Sequence, residues 1–155
     1  MRTTDAPSLD RASVADAAEI ANLYLASRAD ALPYLRRVHG DEDVRVWIRT
    51  VMLARGETWV ARRGDEILGF MSLVGDELDQ LYLKPGHYRR GIGSMLLAKA
   101  KERSPGRLRL HTFQRNLRAR AFYEAHGFRI AVLGDGAQNE EGEPDIRYEW
   151  AASDA

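Results

Sequence analysis

The stretch Glu77–Glu102, ELDQLYLKPGHYRRGIGSMLLAKAKE, constrains this chain more than any other. Leu78, Leu81, Tyr82 and Leu83 read as a strand, which Pro85-Gly86 stops. Ile92, Met95, Leu96 and Ala100 recur near the helical period, with Lys99, Lys101 and Glu102 between them. Between the two lies a basic loop with two glycines, His87 to Ser94. A strand, a glycine-rich turn and a helix start make an anion site. The first N–H groups of a helix lack intrahelical partners, and the helix dipole adds partial positive charge there. Glycine lets a phosphate approach without striking a Cβ. Two common phosphate loops do not fit. A dinucleotide fingerprint needs a third glycine where Leu96 stands, and a P-loop needs a closing Gly-Lys-Ser/Thr.

The rest of the chain frames this stretch. Leu9 to Ala12 reads as an edge strand, and Ser13 with Asp16 as a capping-box-like start of a helix running to Ser27 or Arg28. Ala17, Ile20, Ala21 and Tyr24 share its apolar face. Ala29 to Gly40 is a loop with Pro33. Asp41-Glu42-Asp43 open a second helix with apolar face Val44, Trp47, Ile48 and Val51, closed by Gly56. Thr58–Arg62 and Ile67–Val74 form a hairpin around Arg63 to Glu66. Arg107–Phe113 alternates, Leu108 and Leu110 against Arg109 and His111. Asn116 opens a helix that Gly127 closes, and strands follow at Phe128–Leu133 and Asp145–Trp150. The strand–helix–strand step from Leu78 to Phe113 demands a parallel crossover, while the tight turns before it demand antiparallel pairs. The expected fold is α/β: a mixed, mostly antiparallel sheet with helices on both faces, in one domain over residues 1–155.

Composition narrows the function. Lys plus Arg equals Asp plus Glu, at 23 each, so bulk charge offers no hold on nucleic acid. No apolar run approaches the roughly 18–20 residues of a membrane span, and the first residues lack the apolar core of a signal peptide. The expectation is a cytoplasmic protein with no membrane or nucleic-acid partner. Cysteine is absent, which removes disulfides, thiolate metal sites and a cysteine acyl-enzyme. His39, His87, His111 and His126 show no ligand spacing, so no metal is expected. His126 beside Gly127 reads as a helix-end cation, and Trp47, Trp59 and Trp150 as core. Glu140, Glu141, Glu143 and Asp145 read as a solvated loop that could attract a cationic acceptor.

Tyr88-Arg89-Arg90-Gly91-Ile92-Gly93 resembles the acetyl-CoA loop of the GCN5-related N-acetyltransferases (GNAT), Q/R-x-x-G-x-G/A, with Tyr88 at the Gln/Arg position. Asn116, Ala119, Tyr123, Glu124, Gly127 and Phe128 resemble that family's second signature, N-x-x-A-x-x-x-Y-E-x-x-G-F. The resemblance implies a central parallel strand pair that splays apart to admit the pantetheine arm. It implies acetyl-CoA as acyl donor and a primary amine as acceptor, either a small molecule or a peptide or protein amine. Transfer would be direct, in a ternary complex. The backbone of Leu81, Tyr82 and Leu83 would pair with the pantetheine amides and polarise the thioester. Arg89, Arg90, Gly91, Ile92, Gly93 and Ser94 would hold the pyrophosphate. Asn116 would contact the arm, and Tyr123 would protonate the leaving thiolate. Glu77 matches the base of the histone-acetylating branch, with Asp79 or a water chain as alternatives. The acceptor would be gripped by the first two helices, the loop between them and the acidic connection before the last strand. A non-catalytic acyl-CoA sensor is the competing reading. A homodimer is compatible with the sequence, which carries no signal for or against it.

Overall fold

A computed structural model describes residues 6–153; residues 1–5 of the polar lead-in and 154–155 lie outside the described residues. The strands are β1 (Ser8–Arg11), β2 (Glu57–Arg63), β3 (Glu66–Val74), β4 (Glu77–Leu83), β5 (Arg107–Phe113), β6 (Arg129–Gly134) and β7 (Asp145–Ala151). The helices are α1 (Ala17–Ala31), α2 (Asp41–Trp47), α3 (Ile92–Arg103) and α4 (Leu117–Ala125). The strands form one seven-stranded sheet in the order β1-β2-β3-β4-β5-β7-β6. Its neighbours are antiparallel except β4 and β5. The mixed sheet expected from the turns and the single crossover is therefore the one observed.

Both faces of the sheet are covered. Leu68, Met71, Leu73, Leu78, Leu108, Leu110 and Tyr148 meet Ile92, Leu96, Leu97 and Ala100 of α3 and Tyr123 of α4 in one core. Val60, Ile67 and Phe70 meet Ile20, Ala21 and Leu23 of α1 and Ile48 and Met52 in the other. Phe70 and Met71 go to opposite cores because successive strand side chains point to opposite faces.

Three boundaries depart from the sequence expectation. Helix α1 is preceded by a 3-10 turn, Val14–Asp16, in which the Asp16 carboxylate accepts from Ser13 N–H at 2.9 Å. It then runs on to Ala31, because nothing opposes helix until Pro33 bars its neighbour Leu32 (φ −130°, ψ 53°). The second helix does not stay α-helical to its end. It passes into a π-helical turn at Ile48–Met52, with Leu53 N–H bonded to Ile48 O at 3.1 Å. The extra residue in that turn rotates the apolar face. Met52 is fully buried, whereas Val51, expected inside, is 40% exposed.

Helix α3 is tied to β2 by an ion pair. The Glu57 carboxylate accepts from Arg103 Nε and Nη2, each at 2.9 Å, and from Trp59 Nε1 at 2.9 Å. The Arg103 hydrogen bonds, and then that of Trp59, hold its pKa at about 2, below the ordinary 4.5. A carboxyl depressed on folding stabilises the native state above its unfolded value, and that contribution fades as pH falls from 4.5 to about 2. Calorimetric melting across this range should show the native chain losing melting temperature more steeply than Glu57→Gln. Parallel curves would refute the assignment.

The parallel pair positions the site. The β4–β5 ladder has one register pair, Glu77 with Arg109, next to the bond from Arg109 N–H to Asp76 O at 2.9 Å. Beyond it the strands diverge. Strand β5 stays paired to β7 along its whole length, Arg107 to Phe113, so the departure is on its β4 side. Strand β4 carries a bulge at Asp79, since Leu73 pairs Leu78 while Ser72 pairs Gln80, and a bulge bends and twists its strand.

Candidate functional site

Helix α3 begins where Gly91 turns the chain at φ +83°. Its first bond runs from Met95 N–H to Gly91 O at 3.0 Å, so the N–H groups of Ile92, Gly93 and Ser94 precede the helical ladder. A Cβ at Gly91 would meet nothing within 4 Å, so the space over this turn is open. Arg89 and Arg90 flank it, both exposed. Arg89 adopts φ 63°, a left-handed conformation that costs an L residue about 1–2 kcal/mol. Free N–H groups, a helix dipole and two guanidinium groups suit a diphosphate.

The two loop glycines serve different ends. At Gly93 a Cβ would lie 3.2 Å from two ring carbons of Phe122 and 3.5 Å from Leu83 Cδ1. The approach of α4 by itself favours glycine there, since a side chain would press on the Phe122 ring. His126, expected as a helix-end cation, stands between the same helices. Its Nδ1 is 2.8 Å from Phe122 O and its Nε2 is 3.0 Å from Ser94 Oγ. A carbonyl only accepts, so Nδ1 carries a proton and donates to Phe122 O. Lys101 brings a positive charge to this helix end, donating to His126 O at 2.8 Å. Tyr88 ties the loop to two helices: its hydroxyl donates to Asp30 of α1 at 3.1 Å, and Arg118 of α4 lies 4.2 Å over its ring.

Strand β4 borders the gap left by the splay. Leu81 and Leu83 pack toward α3, and Tyr82 toward α1. Asn116 caps α4, its Oδ1 accepting from Ala119 N–H at 3.2 Å. One turn and more beyond, Tyr123 is 7% exposed among Phe122, Phe128 and Tyr148, with ring centroids at 5.2, 5.5 and 6.1 Å. Burial, and then the nearby Tyr82 phenol, push its pKa well above the ordinary tyrosine value, so it stays protonated.

The candidate bases lie where β4 and β5 part. Glu77 is half-buried, with His111 Nδ1 at 3.8 Å from Oε2, too long for a hydrogen bond. Asp79 occupies the bulge and its carboxylate is engaged by Arg55 Nη2 at 2.8 Å. The acidic connection is not the free solvated loop the sequence suggests. Glu141 pairs with Arg28 at 3.3 Å, Glu140 with His39 at 2.8 Å, and Glu143 with Arg115 at 2.8 Å. Asp145 Oδ2 accepts from Asn139 Nδ2 at 3.2 Å.

A cavity of roughly 1100 Å³ opens on the α1 and α2 side. Tyr24 and Arg28 of α1, Leu32, Pro33 and Arg36 of the following loop, Val44 and Trp47 of α2, and Glu140 and Glu141 line it. Gln80, beside the bulge, brings β4 to it. The segments assigned to an acceptor from sequence thus do converge on one cavity. Sequence reasoning missed the cluster around Arg28 in its wall, having used only the backbone of Tyr82. The Tyr82 ring stacks on Phe70 and meets Tyr24 edge-on at 4.9 Å, and its hydroxyl accepts from Arg28 Nη1 at 3.2 Å. The signal available was an arginine four residues after Tyr24, on the apolar face of α1.

Comparison with known proteins agrees with this geometry. The sequence profile described as Acetyltransferase (GNAT) family matches residues 20–128. The peptidyl-lysine N-acetyltransferase YiaC of Escherichia coli is 32% identical over 112 residues, 72% of this chain and 75% of that protein. The solution structure of apo YjaB from Escherichia coli superposes with TM-score 0.79 at 21% identity, over 96% of this chain and 100% of that one. The structure of yncA from Salmonella typhimurium with acetyl-CoA superposes with TM-score 0.72 at 16% identity, over 97% of this chain and 96% of that one. At such identities the two superpositions speak for the fold.

Proposed function

The chain belongs to the GNAT acetyltransferase family, and from that premise we propose that it carries the acetyl group of acetyl-CoA directly to a lysine side-chain amine in a ternary complex. One observation carries the reading: the parallel strands part after a single register pair, beside a helix N-terminus whose first N–H groups are unspent. That combination fits a diphosphate at Arg89–Ser94 and an amide-bearing arm along Leu81–Leu83. Similarity to a peptidyl-lysine acetyltransferase favours lysine over other amines.

Acetyl-CoA supplies an activated acyl carbon and a thiolate leaving group. The chain supplies the rest. A β4 N–H facing the gap donates to the thioester oxygen as negative charge develops on it. Tyr123, kept protonated by burial, donates to the departing sulfur. A thiol's pKa of about 8.5 makes thiolate a fair leaving group unaided, so this help is real but limited. Tyr123→Phe should lower kcat about ten- to a hundredfold with little change in KM for acetyl-CoA. An unchanged rate at saturating acetyl-CoA would remove Tyr123 from the mechanism. Glu77 takes the amine proton, while the Asn116 amide contacts the arm with the Nδ2 left over from capping.

Thiol release should be followed with acetyl-CoA and a lysine-containing peptide, both varied. Direct transfer gives intersecting double-reciprocal lines. Parallel lines would mean an acyl-enzyme and sink the ternary mechanism. Tight acetyl-CoA binding with no acceptor-stimulated release across an amine panel would favour the sensor reading.

A further inference from the structure

Arg28 is an odd residue to find in a cavity meant for a cationic amine. Its side chain is 24% exposed and lies 5.4 Å from the Tyr24 ring centroid. Nη1 donates to the Tyr82 hydroxyl at 3.2 Å and Nη2 to Glu141 at 3.3 Å. A guanidinium has five N–H donors, so these two bonds leave it donors to offer the cavity that it lines. Aromatic contact and two anchors fix its plane, so little freedom is lost on binding a ligand oxygen.

We propose that Arg28 recognises the backbone carbonyl next to the acceptor lysine, making the cavity selective for a peptide-type lysine over a bare amine or a free amino acid. This rests on the acetyl-lysine reading above. Cavity size supports it: roughly 1100 Å³ exceeds what one amine side chain needs and admits flanking peptide. Charge selects among oxygen ligands. Glu141 already neutralises Arg28, so a carbonyl oxygen gains a charge-assisted bond without opposition. A free α-carboxylate would face Glu141 at close range and be repelled. Glu141 therefore has a discriminating role as well as a bridging one.

Equilibrium binding by calorimetry, with coenzyme A present, reads this without turnover. The probes are Nα-acetyl-lysine N-methylamide, Nα-acetyl-lysine with its free carboxylate, and n-pentylamine. The native chain should bind the methylamide tightest. Arg28→Gln should cost the methylamide about ten- to a hundredfold while the gap to pentylamine closes. Glu141→Gln should invert the order of methylamide and free acid, an outcome no mere loosening of the fold produces. The proposal is overturned if pentylamine binds the native chain as tightly as the methylamide, or if the order of the probes survives both substitutions. Thiol release, measured separately, tests acetyl transfer itself.

Discussion

Gly93→Val is expected to weaken acetyl-CoA binding by about tenfold or more and to destabilise the fold by about 1–3 kcal/mol. The reason is local. The Cβ would already lie 3.2 Å from the Phe122 ring, and two further methyl groups must enter the same seam. Phe122 cannot step aside freely, because its ring meets Tyr123 at 5.2 Å and His126 at 4.5 Å. Helices α3 and α4 must therefore separate, which moves the helix start at Ile92 away from Asn116 and Tyr123. Gly91 offers the contrast. Its neighbourhood is open but its φ is +83°, so Gly91→Asn, which tolerates the left-handed region, should melt close to the native chain. Melting curves and acetyl-CoA titrations of the two variants would show this. Equal behaviour would mean that the motif's glycines share one role.

Glu77→Gln should reduce kcat/KM for a lysine peptide at pH 7 by about a hundredfold or more. A lysine amine with pKa about 10.4 is neutral about once in 2,500 molecules at pH 7, a cost of about 4.6 kcal/mol. An α-amine near 7.8 bears only about 1 kcal/mol, so the same substitution should matter far less with that acceptor. The neutral lysine fraction rises tenfold per pH unit below its pKa, so the deficit of Glu77→Gln should shrink as pH climbs toward 10. Asp79→Asn should do less damage, because Arg55 already occupies that carboxylate. Equal losses for both acceptors, or a larger loss from Asp79→Asn, would move the base elsewhere.

Much of this was open to inspection in the chain itself. Arg107–Phe113 alternates so plainly that strand β5 has the bounds the pattern implies. The turn before Ile92 and the cap at Asn116 also stand where glycine and asparagine place them. Other features escaped because their causes are not local. The π-helical turn that swaps Val51 for Met52 in the core leaves no mark in the spacing of apolar residues. That Gly93 also lets Phe122 pack against the third helix shows only once the two helices meet. The acidic connection looks solvated until Arg28, His39 and Arg115 are found on it.

Residue order alone determined the elements, their succession and the glycine-rich turn before the third helix, since periodicity, capping and glycine conformation act between neighbours along the backbone. Tertiary structure alone decided where the parallel strands part and which groups meet at the cavity. Arg28 reaches Tyr82 across 54 residues and Glu141 across 113. Such meetings follow from the order of strands in the sheet, and no run of adjacent residues carries that order.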